Sequence, residues 1–141
     1  MPLKQTLPVD IDQRLAGLGD AIVAASEYVD FAYLFGSTAV GRRTPRSDID
    51  LAIYVSHDAN GHAVRLDVAR AAAKHLGTDA VDVVLLNSAP VSLAGRVLTT
   101  RQVLLDRVPF ARHRYESLTA RLFQDFRIRE HRLLAQRYSR G

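Results

Sequence analysis

Asp48 and Asp50 stand one residue apart at the head of an apolar run that continues through Ile49, Leu51 and Ile53. Side chains alternate faces along a strand, so the two carboxylates point one way while the aliphatic residues point into a core. Two carboxylates side by side repel, and such a pair usually needs a cation or a shared proton. Upstream, Gly36-Ser37 closes an earlier apolar run, and a turn of this kind offers N–H groups and a hydroxyl suited to a phosphate chain. The ten residues between Ser37 and Asp48 include Gly41, Arg42, Arg43 and Arg46, which bring flexibility and positive charge. These arginines are therefore candidates to touch phosphates, although mobile surface arginines are common. A third acid, Asp82, sits in the apolar run from Ala80 to Leu86. A carboxylate in a buried strand costs several kcal/mol unless it is paired, protonated or metal-bound. If that strand lies beside the one carrying Asp48 and Asp50, the three acids form a triad. Carboxylates, a divalent ion and phosphate together indicate phosphoryl or nucleotidyl transfer.

These residues need a fold to hold them, and 141 residues suffice for one domain with a substantial core, spanning 1–141. With 48% apolar and 24% charged residues the composition is that of an ordinary globular chain. There is no cysteine, which excludes disulfides and thiolate metal sites. Met1–Gln5 lacks the apolar stretch of a leader, and no later run approaches the roughly 20 apolar residues of a membrane span. A cytoplasmic protein with no membrane contact is the default expectation. The five histidines (His57, His62, His75, His113, His131) show no zinc-ligand spacing and are expected at the surface.

The elements follow from periodicity and punctuation. Ile11, Leu15, Leu18, Ile22 and Ala25 recur at helical spacing, predicting one amphipathic helix that Asp10 or Asp12 can cap and that Gly17 and Gly19 weaken. Tyr28 to Phe35 and Asp48 to Val55 read as the first two strands. His62 to Leu76 reads as a helix ended by Gly77, Ala80 to Leu86 as a third strand, Val91 to Leu98 as a short helix and Arg101 to Asp106 as a fourth, edge strand. After Pro109 a single long helix runs to about residue 138, with Tyr115, Leu118, Leu122, Phe126 and Leu133 near one stripe. Tyr115, Phe123 and Phe126 are expected to pack this helix on the sheet or on a partner. The class is α+β: a small mixed sheet of three to four strands flanked by helices, with a core over about 10–106 and a long C-terminal helix.

Charge is unevenly spread. Residues 1–100 carry 9 basic and 11 acidic side chains, net −2, whereas residues 101–141 carry 10 and 4, net +6, and all ten basic residues are arginine. Arginine forks suit carboxylate and phosphate, so this tail can face an acidic protein, a nucleotide or RNA, or it can simply be a solvated helix face.

Taken in order, Phe35-Gly36-Ser37, Ser47-Asp48-Ile49-Asp50-Leu51 and Asp82 resemble the active-site signature of the DNA polymerase β-like nucleotidyltransferase superfamily, across roughly residues 28 to 86. Leu85-Leu86-Asn87-Ser88-Ala89-Pro90 and the segment from Arg114-Tyr115-Glu116 to Asp125-Phe126 extend the likeness, to about residue 130, to its minimal members. Those are MntA-like antitoxins paired with HEPN ribonuclease toxins. The resemblance implies a nucleotidyltransferase fold in which Asp48 and Asp50 ligate Mg²⁺ bound to ATP and Gly36 and Ser37 hold its phosphates. Asp82 would bind a second Mg²⁺ and help deprotonate the attacking hydroxyl. It further implies transfer of AMP to a tyrosine of the toxin, in a complex with that toxin. No separate acceptor-binding domain is visible, so a partner must contribute most of the acceptor site. Two other readings stay open: an antitoxin that acts by binding alone through its C-terminal helix, and direct nucleic-acid binding, for which no recognition motif is present.

Overall fold

The computed structural model describes residues 7–139; the run Met1–Gln5 discussed above and Arg140 of the tail lie outside them. The elements in order are α1 (Ile11–Ala16), α2 (Leu18–Ala25), β1 (Val29–Phe35), β2 (Ile49–Val55), α3 (Gly61–Leu76), β3 (Val81–Leu85), a 3-10 turn (Leu86–Ser88), α4 (Val91–Thr100), β4 (Gln102–Asp106) and α5 (Pro109–Ser139). The sheet runs β3-β2-β1-β4, with β1 antiparallel to both β2 and β4 and with β2 parallel to β3. A parallel pair requires a crossover, and α3 supplies it. Asn60 caps the start of α3 by accepting from Ala63 N (3.2 Å), and Gly77, at φ 71°, ends it in the left-handed region.

Helices cover both faces of the sheet. On one side Ile49, Leu51, Ile53, Ala32 and Leu34 pack against α1, α2 and the Val64, Val68, Ala72 and Leu76 stripe of α3. On the other side Phe31, Tyr33 and Ala52 pack under α4 and the start of α5. Tyr115 anchors α5 as expected: its ring lies 5.8 Å from Phe31 and 5.4 Å from Tyr54, which stack on each other at 4.9 Å. Asn87 explains the Leu-Asn-Ser phrase after the third strand. Its side-chain amide accepts from Val55 N and donates to Val55 O, both at 2.9 Å, so it continues the ladder where the backbone turns away.

Three expectations need correction. The predicted first helix is two helices broken at Gly17, whose N–H turns back to Arg14 O and Leu15 O. A Cβ at Gly17 would sit 3.0 Å from the His75 ring, so the break seats another side chain. Asp10 precedes α1 without capping it; its carboxylate takes Arg14 Nε instead, at 3.0 Å. His75 is half-buried rather than at the surface, with Nε2 2.6 Å from Arg14 O. Of the two alternatives for Phe126, the sheet is out of reach: the ring is exposed, because α5, roughly 46 Å long at 1.5 Å per residue, outruns the sheet it starts on.

Glu116 ties α5 to the sheet. It accepts from the buried Tyr33 hydroxyl (2.7 Å), Arg101 Nε (2.8 Å) and Arg112 Nη1 (3.1 Å). Arg112 Nε lies 3.0 Å from Asp106 Oδ2, in ion-pair range but poorly aligned for a hydrogen bond. Burial opposes ionisation of Glu116, yet the Tyr33 hydrogen bond and the two guanidinium groups outweigh it and hold the carboxyl below 4.5. Burial, and then Glu116 itself, push the Tyr33 phenol well above its ordinary value. A lowered folded-state pKa contributes stability above the unfolded value that is lost as the pH falls through the folded one. Glu116→Gln should therefore cost about 1–3 kcal/mol at pH 7. In denaturant titrations this difference should shrink below pH 4.5 and not above it.

Gly95 of α4 lies under the Phe123 ring of α5, and a Cβ there would be 2.1 Å from Phe123 Cγ. Gly95→Ala gains helix propensity but must displace a ring. We expect a net loss of about 1–3 kcal/mol in denaturant unfolding, with overpacking dominating.

Candidate functional site

The strand register gathers the acids. Phe35 of β1 pairs with Asp50 of β2, and Asp50 pairs with Asp82 of β3. These three residues form one row across three strands, on the face covered by α4 and α5. Two carboxylates directly opposite one another are destabilising on a sheet unless positive charge reaches them. Asp48 stands exposed at the entrance to β2, two residues before Asp50. Asp82 is exposed, which corrects the expectation of a buried acid: β3 is an edge strand, so its carboxylate keeps water and stays accessible.

Gly36 ends the row. Its φ of 76° lies in the left-handed region, and a Cβ built on it would be 2.6 Å from Asp50 Oδ2. The backbone thus passes as close to the carboxylate as any residue allows. Gly36 N donates to Thr100 Oγ1 at 2.8 Å, so this amide is engaged at the end of α4. Ser37 follows, with its carbonyl accepting from Arg42 N (2.8 Å), and Thr38 Oγ1 is buried with no hydrogen-bond partner in the structure. A polar atom so placed is satisfied when water or a ligand completes the turn. Gln102 of β4 donates to Ala39 O and holds the loop from the far side. Beside Gly36 opens a cleft of about 390 Å³ lined by Phe35, Leu93, Arg96, Thr99 and Thr100.

The two arginines part company. Arg43 is held to Asp12 of α1 (2.6 Å), on the other side of the sheet from Asp50, and its hydrogen bond keeps the Asp12 carboxyl below its ordinary range. Arg42 and Arg46 are exposed on the loop. The structure brings Gly36, Asp50 and Asp82 together, places Ser37 and Asp48 at the edge of that group, and turns Arg43 away. Thr100, Gln102 and Arg96, which close the site from α4 and β4, carry no sequence signal that marks them.

Residues 20–109 match the family described as polymerase beta, nucleotidyltransferase. The chain belongs to this family. Solved structures share its fold: a toxin–antitoxin complex with AMP-PNP (TM-score 0.70, 24% identity) covers 86% of this chain and 96% of its own. A tri-AMPylated Shewanella oneidensis HEPN toxin in complex with MNT antitoxin matches at TM-score 0.66 and 21% identity, over 89% of this chain and 97% of its own. An MntA-HepT toxin–antitoxin structure matches at TM-score 0.65 and 22% identity over 89% and 97%. No curated protein matches the chain. The nucleotidyltransferase fold that the family resemblance implies is the fold observed.

Among the described residues no three His, Asp or Glu side chains close into a metal-binding cluster, and no helix is long and apolar enough to cross a membrane. The residues nevertheless fit a divalent cation. The donors are all carboxylate oxygens, two of them are paired across parallel strands, and the adjacent backbone leaves no room for a Cβ. Such an oxygen set suits Mg²⁺ rather than a thiophilic metal.

Proposed function

We propose that this nucleotidyltransferase is an antitoxin that transfers AMP from ATP to a tyrosine of a cognate HEPN toxin. The observation that carries the reading is the row of Phe35, Asp50 and Asp82 closing on Gly36. The fold shared with antitoxin chains, one of them in a complex with AMP-PNP, supports it.

Asp48, Asp50 and Asp82 are the residues that would hold Mg²⁺, which when bound neutralises charge on the phosphate oxygens. The turn at Gly36 and Ser37 brings backbone close to the acids, and Ser37 is positioned to orient the triphosphate. The cleft beside Gly36 offers room for the rest of the nucleotide. Asp82 is exposed on the edge strand, where a bulky acceptor has room to approach, and on this reading its carboxylate takes the hydroxyl proton. The acceptor oxygen bonds to the α-phosphorus, the bond from that phosphorus to the bridging oxygen breaks, and pyrophosphate leaves with its electron pair. Arg42 reaches the phosphates from the loop, whereas Arg43 serves to fasten the loop to α1.

The test is direct: incubate the protein with ATP, Mg²⁺ and the toxin encoded beside it, then weigh the toxin. An added AMP supports the reading. An unmodified toxin, with both proteins folded and bound to each other, overturns it. A second reading, neutralisation by binding alone, is favoured by the exposed Leu118, Leu122, Phe126 and Leu133 of α5. It predicts that Asp48→Asn still protects cells from the toxin at native expression.

A further inference from the structure

Between α4 and the middle of α5 lies a groove of about 660 Å³, distinct from the cleft at Gly36, with Thr99 in the wall of both. Its floor is apolar: Leu98, Phe123 and Ile128. Its rim is cationic, with Arg101, Arg127 and Arg132. The single carboxylate of the lining, Glu116, is already committed to Tyr33, Arg101 and Arg112. Arg127 sits over the Phe123 ring at 5.8 Å, and Phe123 is itself seated on Gly95, so the floor is a rigid surface. Ile128 remains 42% exposed, more than an aliphatic side chain in a finished packing arrangement.

We propose that this groove docks an acidic, apolar-anchored helix of the acceptor protein. The occupant's chemistry follows by complementarity: apolar side chains for the floor, Asp and Glu for the arginine rim. A second copy of the same helix is a poor fit, because α5 carries Arg112, Arg114, Arg121, Arg127, Arg129, Arg132 and Arg137 against Glu116, Asp125 and Glu130. A nucleic acid would satisfy the rim and could stack a base on Phe123, but would leave the aliphatic Leu98 and Ile128 without an apolar partner. The position of the groove gives the docking a purpose. A protein seated in the groove lies on the face of the sheet that α4 and α5 cover, the face that carries Asp50 and Asp82. The inference rests on the protein-acceptor reading and locates the recognition surface that this reading requires but that the catalytic row does not provide.

The experiment uses the whole chain and the adjacent HEPN toxin. Toxin affinity is measured by calorimetry for the parent, Ile128→Asp, and the double variant Arg127→Glu with Arg132→Glu, each with its thermal melt. All three substituted positions are exposed, so the melts should match the parent. Toxin affinity should fall about tenfold or more, and salt should weaken the parent but not the charge-reversed variant. In transfer assays KM for the toxin should rise while KM for ATP stays unchanged. Asp50→Asn should bind toxin like the parent, which keeps failure of the docking site separate from failure of the transfer reaction. Parent-like toxin affinity in both groove variants overturns the proposal. So does loss of binding to a single-stranded RNA probe with toxin binding intact, since that would make the rim a nucleic-acid surface.

Discussion

Asp50→Asn should reduce AMP transfer by about a thousandfold while leaving the fold intact, as read by mass spectrometry of the acceptor and by thermal melting. The kinetic loss follows from position. Asp50 is the centre of the row, flanked by Phe35 and Asp82 and close against Gly36. Removing one preorganised electrostatic partner of a transition state typically costs on the order of 10²–10³ in rate, and an acid with the metal-holding role proposed for Asp50 should stand at the upper end. The stability expectation has the opposite sign. Asp50 lies directly across from Asp82, and like charges facing each other on adjacent strands destabilise a sheet. Amide substitution removes that repulsion with little change of shape, so the metal-free protein should melt at the parent temperature or slightly above it. Added Mg²⁺ should raise the melting temperature of the parent more than that of the variant. Transfer at the parent rate would remove Asp50 from the mechanism.

Much of this site was legible before any coordinates. Alternation in Asp48-Ile49-Asp50-Leu51 assigns faces, Gly36 and Gly77 end their elements through the left-handed backbone that only glycine adopts cheaply, and the apolar periods of α3 and β2 place the core. Local chemistry decides those features, so local sequence reports them. The position of Asp82 is different. Whether its strand lies inside the sheet or at the edge depends on pairing between segments far apart in the chain, and an apolar run with one acid is compatible with either. The structure puts β3 at the edge, which changes Asp82 from a buried acid requiring a partner into an accessible one. The same holds for Thr100 on Gly36, Gln102 on Ala39 and Arg101 and Tyr33 on Glu116: each contact spans 15 to 83 residues, and an ordinary Thr, Gln or Tyr carries no mark of it. Arg43 shows the reverse error. Its place in a basic loop near the acids suggested phosphate contact, and only the fold reveals that Asp12 of α1 is within reach.

Gly36→Ala should be the second large effect, and Gly41→Ala is its natural control. Both glycines hold positive φ, 76° and 74°, so either substitution carries the backbone cost of placing an L-residue in the left-handed region, about 1 kcal/mol. Their surroundings differ. At Gly41 a new Cβ meets nothing within 4 Å, whereas at Gly36 it meets Asp50 Oδ2 at 2.6 Å. Relief of that clash must rotate the Asp50 carboxylate or shift the turn, and the turn is pinned by the bond from Gly36 N to Thr100. A displacement of about 1 Å at a reacting centre can cost on the order of a hundredfold in rate. Gly36→Ala should therefore lose transfer by about that factor or more with a drop of only about 1–2 kcal/mol in unfolding free energy. Gly41→Ala should share most of the stability loss and keep its activity within a few fold. Equal kinetic losses in the two variants would mean that loop conformation, rather than contact with Asp50, controls the reaction. Parent activity in Gly36→Ala would show that the close approach to Asp50 has no part in it. A large loss confined to Gly36 assigns the glycine its chemical role: it keeps the backbone out of the way of the one carboxylate that the row cannot spare.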